Sequence, residues 1–353
     1  MNNCKYVGLD VHKTITVIAV MDAAGQIQTR AQVKTKADAL RDFFRGLSGT
    51  IHVAFEEGTQ STWLYQLLKP LVALVTVFDA RTIQRRASGQ KSDDKDAENF
   101  ARLLRTGDLV PIYKGDVVQQ QLKELCRTYE NLVTDITRTK NRLKALYRAR
   151  GIACPGREIY RASQREEYLA KLTDETARFR AATLLDQLAA LQPLRKQAKQ
   201  RFAKAVRQHE AYAWLSKLPG FGVVRTGQLL AIIGTPQRFR TKRQLWTYAG
   251  LSVVTHATAE YQEQDGHIVK TRKTVATRGL NWNHQPQLKQ VFKGAALSAL
   301  SQAEIRAYYD QQIVQGTSAA LARVCVARKL ASITLTLWQR QEEYDPSKAF
   351  AQS

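Results

Sequence analysis

Three aspartates crowd into four residues at Asp93, Asp94 and Asp96, just ahead of an apolar-periodic run at Phe100, Leu103 and Leu104. Ser92 in front of them has N-cap chemistry, so the spacing predicts a helix that opens there. On that helix Asp93 and Asp96 are three apart and share a face. Two carboxylates on one face can hold a hard cation such as Mg²⁺, which takes oxygen ligands. Acids in a first turn also offset the helix macrodipole, so the stretch alone leaves both readings open. Two more acids favour the metal: Asp10 and Glu56 each close a short apolar run.

Those runs must be positioned by a sheet. Lys5 to Asp10, Thr14 to Met21 and Ile27 to Lys34 read as three antiparallel strands, with Ala23-Ala-Gly-Gln26 as a turn. A helix over 36–47, a strand over 51–56, a helix over 62–69 stopped by Pro70, and a strand over 71–78 follow. The order β-β-β-α-β-α-β-α predicts an α/β domain with a mixed sheet. Adjacent parallel strands would bring Asp10 and Glu56 to one rim, and the helix could deliver Asp93 and Asp96 to it. Four converging carboxylates repel unless cations lie between them. Two Mg²⁺ ions about 3.5–4 Å apart would suit in-line chemistry at phosphorus.

Gly107 to Gly115 breaks the pattern and reads as a linker. Beyond it, Val118, Leu122, Leu125, Tyr129, Leu132, Ile136, Thr139, Leu143 and Leu146 form a heptad seam. A second helical stretch reaches about Arg207, and Pro193 is expected to kink or split it. The two seams can pair within one chain or with a second subunit. The expected divisions are 1–112, a helical coiled-coil region over 113–210, and a mostly helical domain over 211–353. In the last, Leu218-Pro-Gly-Phe-Gly222 leads into a helix and has the form of a helix-hairpin-helix element. Backbone N–H groups around Gly220 and Gly222 could hold a phosphate, and an ordinary turn is the competing reading. Lys270, Arg272, Lys273 and Arg278 form a basic cluster, followed by Trp282, Asn283 and His284 as stacking and polar groups.

The bulk numbers agree with a nucleic-acid partner. The 353 residues carry a net charge of +23, and 44% hydrophobic content is ample for packed cores. No apolar run reaches the roughly 18 residues of a membrane span, and the N-terminus does not read as a signal peptide. Four scattered cysteines without a CxxC pair predict free thiols in a reducing compartment, neither a zinc site nor a disulfide frame.

Taken together, several segments resemble one family. They are Gly8-Leu-Asp-Val-His-Lys13, Phe55-Glu-Glu-Gly58, Lys91-Ser-Asp-Asp-Lys-Asp-Ala97, Leu218 to Gly222, Tyr248-Ala-Gly-Leu251, Thr277-Arg-Gly-Leu280 and Lys289 to Ala296. In order and spacing the chain resembles bacterial insertion-sequence transposases with an N-terminal RuvC-like DEDD domain and a C-terminal serine-recombinase-like domain. Piv DNA invertases belong to the same group, and its members are similar to bridge-RNA-guided recombinases. The resemblance implies an RNase H/RuvC-like fold for the first domain, with Asp10, Glu56, Asp93 and Asp96 as the DEDD ligands of Mg²⁺. Glu57 and Asp94 beside them are the obvious misassignments. It further implies donor and target DNA as substrates, a structured guide RNA, a homo-oligomer (dimer or tetramer), and a cytoplasmic, nucleoid-associated location. In such assemblies the acid-bearing domain docks against the C-terminal domain of another subunit. The family nucleophile is a serine that links covalently to DNA. By register from Ala249-Gly-Leu251, that position is Thr258 here, Ala257 beside it has no hydroxyl, and Ser252 is six residues away. Thr258 as a working nucleophile, an inactive relative, and a substitution that traps a complex all remain open. A metal-dependent structure-specific nuclease and a non-catalytic nucleic-acid-binding relative are the alternatives in function.

Overall fold

The computed structural model of the chain describes residues 3–79, 81, 93–256, 261–264, 267–270 and 276–346; for 93–94, 255–256, 261–264, 268–270 and 276–278 it describes the backbone alone. Two units divide the chain, Met1–Asp116 and Val117–Ser353.

In the first unit, runs rich in Val and Ile form β1 (Cys4–Val11), β2 (Ile15–Met21), β3 (Ile27–Lys34), β4 (Thr50–Glu56) and β5 (Leu74–Phe78). Three helices join them: α1 (Ala37–Arg45), α2 (Ser61–Leu68) and α3 (Asp93–Thr106). The sheet order is β3-β2-β1-β4-β5. β1, β2 and β3 run antiparallel, whereas β4 and β5 extend the sheet parallel to β1. Side chains alternate across the sheet. Val7, Leu9, Val53, Phe55 and Val77 pack on one face with Leu40 and Phe44 of α1 and with Leu64, Leu67 and Leu68 of α2. Ala54 and Phe78 point to the other face, against Phe100 and Leu104 of α3. Each such Phe or Leu taken fully from water contributes about 1.5–3 kcal/mol. The stretch expected to be a linker is instead a strap on the sheet edge. Pro111 bridges to Phe78, and the Ile112 N–H donates to the Val77 carbonyl at 2.6 Å. The reason is that β5 ends the sheet and its open backbone groups attract a partner.

The second unit opens with α4 (Val117–Arg148), α5 (Arg165–Ala170) and α6 (Glu175–Gln208). α4 and α6 pair antiparallel. At one end Leu143, Leu146 and Tyr147 pack with Ala177, Ala181, Leu184 and Leu188 around a compact connection that includes α5. Pro193 does not split α6, which is one helix from Glu175 to Gln208. The Asp174 carboxylate caps it, accepting from the Thr176 and Ala177 N–H groups at 3.0 and 3.2 Å. At the other end Leu122, Cys126, Phe202 and Val206 join the large core of the remaining helices. Those are α7 (Tyr212–Leu215), α8 (Val223–Ile233), α9 (Lys242–Tyr248), α10 (Pro286–Ala299), α11 (Ala303–Val314) and α12 (Ala319–Arg340). Between α9 and α10 lie β6 (Val253–His256), β7 (Tyr261–Gln264), β8 (His267–Lys270) and β9 (Ala276–Leu280). β6 pairs with β9 and β7 with β8, both antiparallel. No described helix is long and apolar enough to cross a membrane.

Candidate active site

Asp10 stands near the C-terminal end of β1, and Glu56 is the last residue of β4. The parallel register pairs Gly8 with Ala54 and Leu9 with Phe55, so the next two residues, Asp10 and Glu56, are neighbours across the strands. By alternation both project to the face that α3 covers. Gly8 explains how close α3 comes. A Cβ there would sit 2.0 Å from the Ala97 carbonyl oxygen and 2.6 Å from the Ala101 nitrogen. At the far end of α3 the Arg105 guanidinium lies over Gly25, in the turn between β2 and β3. α3 therefore runs antiparallel to β1, and its first turn, with Asp93 and Asp96, heads for the rim that carries Asp10 and Glu56. Asp96 is half-buried; the Asp93 and Asp94 side chains and all of Ser92 lie outside the described residues.

The same rim sorts the neighbouring acids. Glu57 projects to the opposite face, where its carboxylate pairs with the buried Lys114 ammonium. Lys114 also donates to the Ser61 hydroxyl at 2.9 Å. Asp79, just past β5, is held by Arg81, whose guanidinium and backbone N–H bonds keep the Asp79 carboxyl below its usual range. His12 Nε2 lies 3.1 Å from Asp10 Oδ2. Sequence reasoning misses His12, Lys114 and Asp79 as rim residues. The signal for Asp79 is in the sequence, since β5 too is a strand followed by an acid.

The four predicted ligands at this rim are carboxylates from two adjacent strands and one helix, and that chemistry suits a hard divalent cation. Among the described residues, which leave out the Asp93 and Asp94 side chains, no three ligating side chains already form a metal-sized group.

In the second unit the nucleophile position Thr258 lies outside the described residues, as do Arg272 and Lys273. Lys270 ends β8 and Arg278 is within β9, with backbone alone described. What is described is the base of the strands around them. Val253 pairs with Leu280 and His256 with Ala276, so β6 and β9 form a ribbon that leads from the helical core toward Thr258 in sequence. Ser252 is built into the ribbon's root: its N–H donates to the Trp246 carbonyl, and its carbonyl accepts from the Asn281 N–H at 3.1 Å. Gly250 adopts φ +63°, and a Cβ there would meet the His284 ring at 2.5 Å. Asn281 Nδ2 donates to the Thr247 and Asn283 carbonyls, which fixes the turn that holds out Trp282, 91% exposed. Gly220 has a packing role. At φ +76° it lies against α10, where a Cβ would come within 2.3 Å of the Ala295 oxygen, and its carbonyl accepts from Arg225. Gly222 is the N-cap of α8.

A five-stranded sheet in this order, with helices on both faces and acids at the carboxyl rim, has the architecture of an RNase H-like domain. Residues 7–149 match the IS110-type DEDD family described as a transposase, and residues 212–310 match the transposase family described as IS116/IS110/IS902. The chain belongs to the IS110/IS116 family of transposases. It is similar along most of its length to a protein of Sinorhizobium fredii named as a transposase, y4qE. The two are 22% identical over 345 residues, which take in 92% of this chain and 86% of that one.

Proposed function

We propose that the chain is an RNA-guided DNA transposase that cuts and rejoins donor and target DNA through a covalent protein–DNA link. The observation that carries the reading is the neighbouring placement of Asp10 and Glu56 on β1 and β4, at the rim toward which the Asp93–Asp96 turn of α3 runs. Asp10, Glu56, Asp93 and Asp96 would hold Mg²⁺. When bound, the metal supplies positive charge against the charge that builds up on phosphorus oxygens, and it eases ionisation of an attacking hydroxyl. The Thr258 hydroxyl attacks the phosphate: an Oγ1–P bond forms, the P–O bond to one deoxyribose breaks, and the proton lost by Thr258 ends on the released deoxyribose oxygen. In joining, a hydroxyl released from another strand attacks the same phosphorus, the Oγ1–P bond breaks and Thr258 regains a proton. The methyl group on threonine crowds this attack, so the chemical step is slower than with serine. Guidance by a structured RNA and assembly as a dimer or tetramer rest on the family resemblance, and the net charge of +23 supports a large nucleic-acid load.

The test is recombination of a donor and a target plasmid, with the protein then run on a denaturing gel to trap the DNA adduct. Asp93→Ala and Thr258→Ala should both abolish joining, and Thr258→Ala should also remove the adduct. Cutting that survives Thr258→Ala and leaves no adduct would establish a metal-dependent nuclease instead. Co-purification of a discrete RNA tests guidance.

A further inference from the structure

The end of the α4–α6 pair carries a group of cations that the cutting reading does not use. Lys140 and Lys144 are one helical turn apart on α4 and both half-buried. Their ammonium groups lie 4.9 and 5.6 Å from the centre of the same ring, that of Tyr160. Tyr160 belongs to the connection between the two helices, and its hydroxyl donates to the Lys140 carbonyl. Lys144 is anchored by donating to the Gly156 carbonyl at 2.8 Å. Arg157 on the connection and Arg195 on α6 are two further cations whose charge reaches Lys140. Burial, then Arg195 and Arg157, push the Lys140 ammonium below its ordinary range.

Two lysines of α4 are thus held over one aromatic ring, and cations of two other segments act on one of them. Nearby cations at this end of the pair do find acids: Arg150 pairs with Asp174, Arg165 with Asp186 and Lys171 with Glu167. Among the described residues, no carboxylate is within ion-pair distance of Lys140, Lys144, Arg157 or Arg195. Like charges kept together without a counter-ion cost stability, and an anion relieves that cost. The spread of donors over two helices and a loop suits several adjacent phosphates better than one small ion.

We infer that Lys140, Lys144, Arg157 and Arg195 form a site for a nucleic-acid phosphodiester backbone, with Tyr160 as the platform that keeps the two lysines in place. Duplex DNA and structured RNA share that chemistry. The site concerns binding alone and uses neither the acids nor Thr258, so it stands or falls independently of the proposed cutting mechanism.

The full-length protein with Arg157→Gln and Arg195→Gln together should be titrated against a labelled duplex DNA and, separately, a labelled RNA hairpin over a series of salt concentrations. Both arginines are exposed, which keeps the folding risk low. The slope of log K against log salt should fall by about one for each phosphate that the protein no longer neutralises. A fall with the duplex only assigns the site to DNA, a fall with the hairpin only assigns it to RNA, and a fall with both shows shared use. The paired Arg157→Lys and Arg195→Lys variant should restore the slope. In the free protein the glutamine variant should melt at the same or a higher temperature, because repulsion is relieved. Unchanged slopes with both probes overturn the inference, and so does a melting temperature that drops along with binding.

Discussion

Asp10 and Glu56 share a rim and a face, and Glu57, one residue along, does not. That single step along the strand separates two outcomes. Asp10→Ala or Glu56→Ala should lower plasmid recombination by at least about 100-fold, since metal stabilisation of a phosphoryl transition state is worth several kcal/mol. Far-UV circular dichroism and duplex binding should stay near those of the parent. Glu57→Gln should act on stability, because it weakens the charge compensation of the buried Lys114 ammonium. Glu57 is itself 44% exposed, so screening reduces the effect to about 1–2 kcal/mol in urea unfolding. Recombination lost in Glu57→Gln with stability intact would reverse this assignment. Trp282 is a different case, a large apolar ring held in water by the Asn281 turn. Trp282→Ala should weaken single-stranded DNA binding by about 1–3 kcal/mol, the worth of one stacked base, and Trp282→Phe should recover most of it. Equal affinities measured by anisotropy would show that the ring has no base to meet.

At the scale of elements, α3 is the part most exposed to failure. It lies directly on Gly8, and no side chain fits between them. Gly8→Ala should cost about 1–3 kcal/mol by overpacking and should displace the first turn of α3 from the rim, so recombination falls along with stability. The α6 start answers to pH. The Arg150 guanidinium, then the Thr176 and Ala177 N–H groups, hold the Asp174 carboxyl below its ordinary range. A depressed value in the folded state gives stability that is present above the unfolded-state value and lost as pH falls through the folded one. Amide protection in the first turn of α6, the exchange rate relative to that of an unfolded chain at the same pH, should therefore fall on acidification below about pH 4, the carboxylate range. Asp174→Ala should show low protection there at every pH. Protection that does not change with acid in the parent would exclude this cap. The strap over 107–116 shows what element-level reading of a sequence misses. Its Gly and Pro content gives a linker pattern, yet Pro111 and Ile112 line the open edge of β5 and Lys114 reaches back beneath Glu57. Nothing in its own residues announces that edge, because the edge belongs to another segment.

For the whole molecule, a net charge of +23 makes salt the controlling variable. Binding of any long nucleic acid should fall steeply and linearly in log K against log salt, and a flat plot would argue against phosphate binding altogether. The succession of strands and helices along the chain is a local matter, and periodicity, turn residues and spacing are enough to read most of it from the sequence. The β3 range of 27–34 follows from alternation, and Leu122, Ile136, Thr139, Leu143 and Leu146 of α4 are buried as the heptad spacing expects, whereas Val118 at its start is exposed and Gln119, Cys126 and Tyr147 are buried outside it. The types of the acids and the hydroxyl at residue 258 are equally legible, since chemistry belongs to residue identity. Tertiary structure decided what depends on partners distant in sequence. It set β1 against β4 in the register that makes Asp10 and Glu56 neighbours, and it paired α4 with α6 inside one chain. It also set Lys140 and Lys144 over the one Tyr160 ring, with Arg157 and Arg195 within charge range of Lys140. The physical reason is that propensity and periodicity act over a few residues, whereas register, helix pairing and charge compensation are settled only when separate segments compete for the same surface.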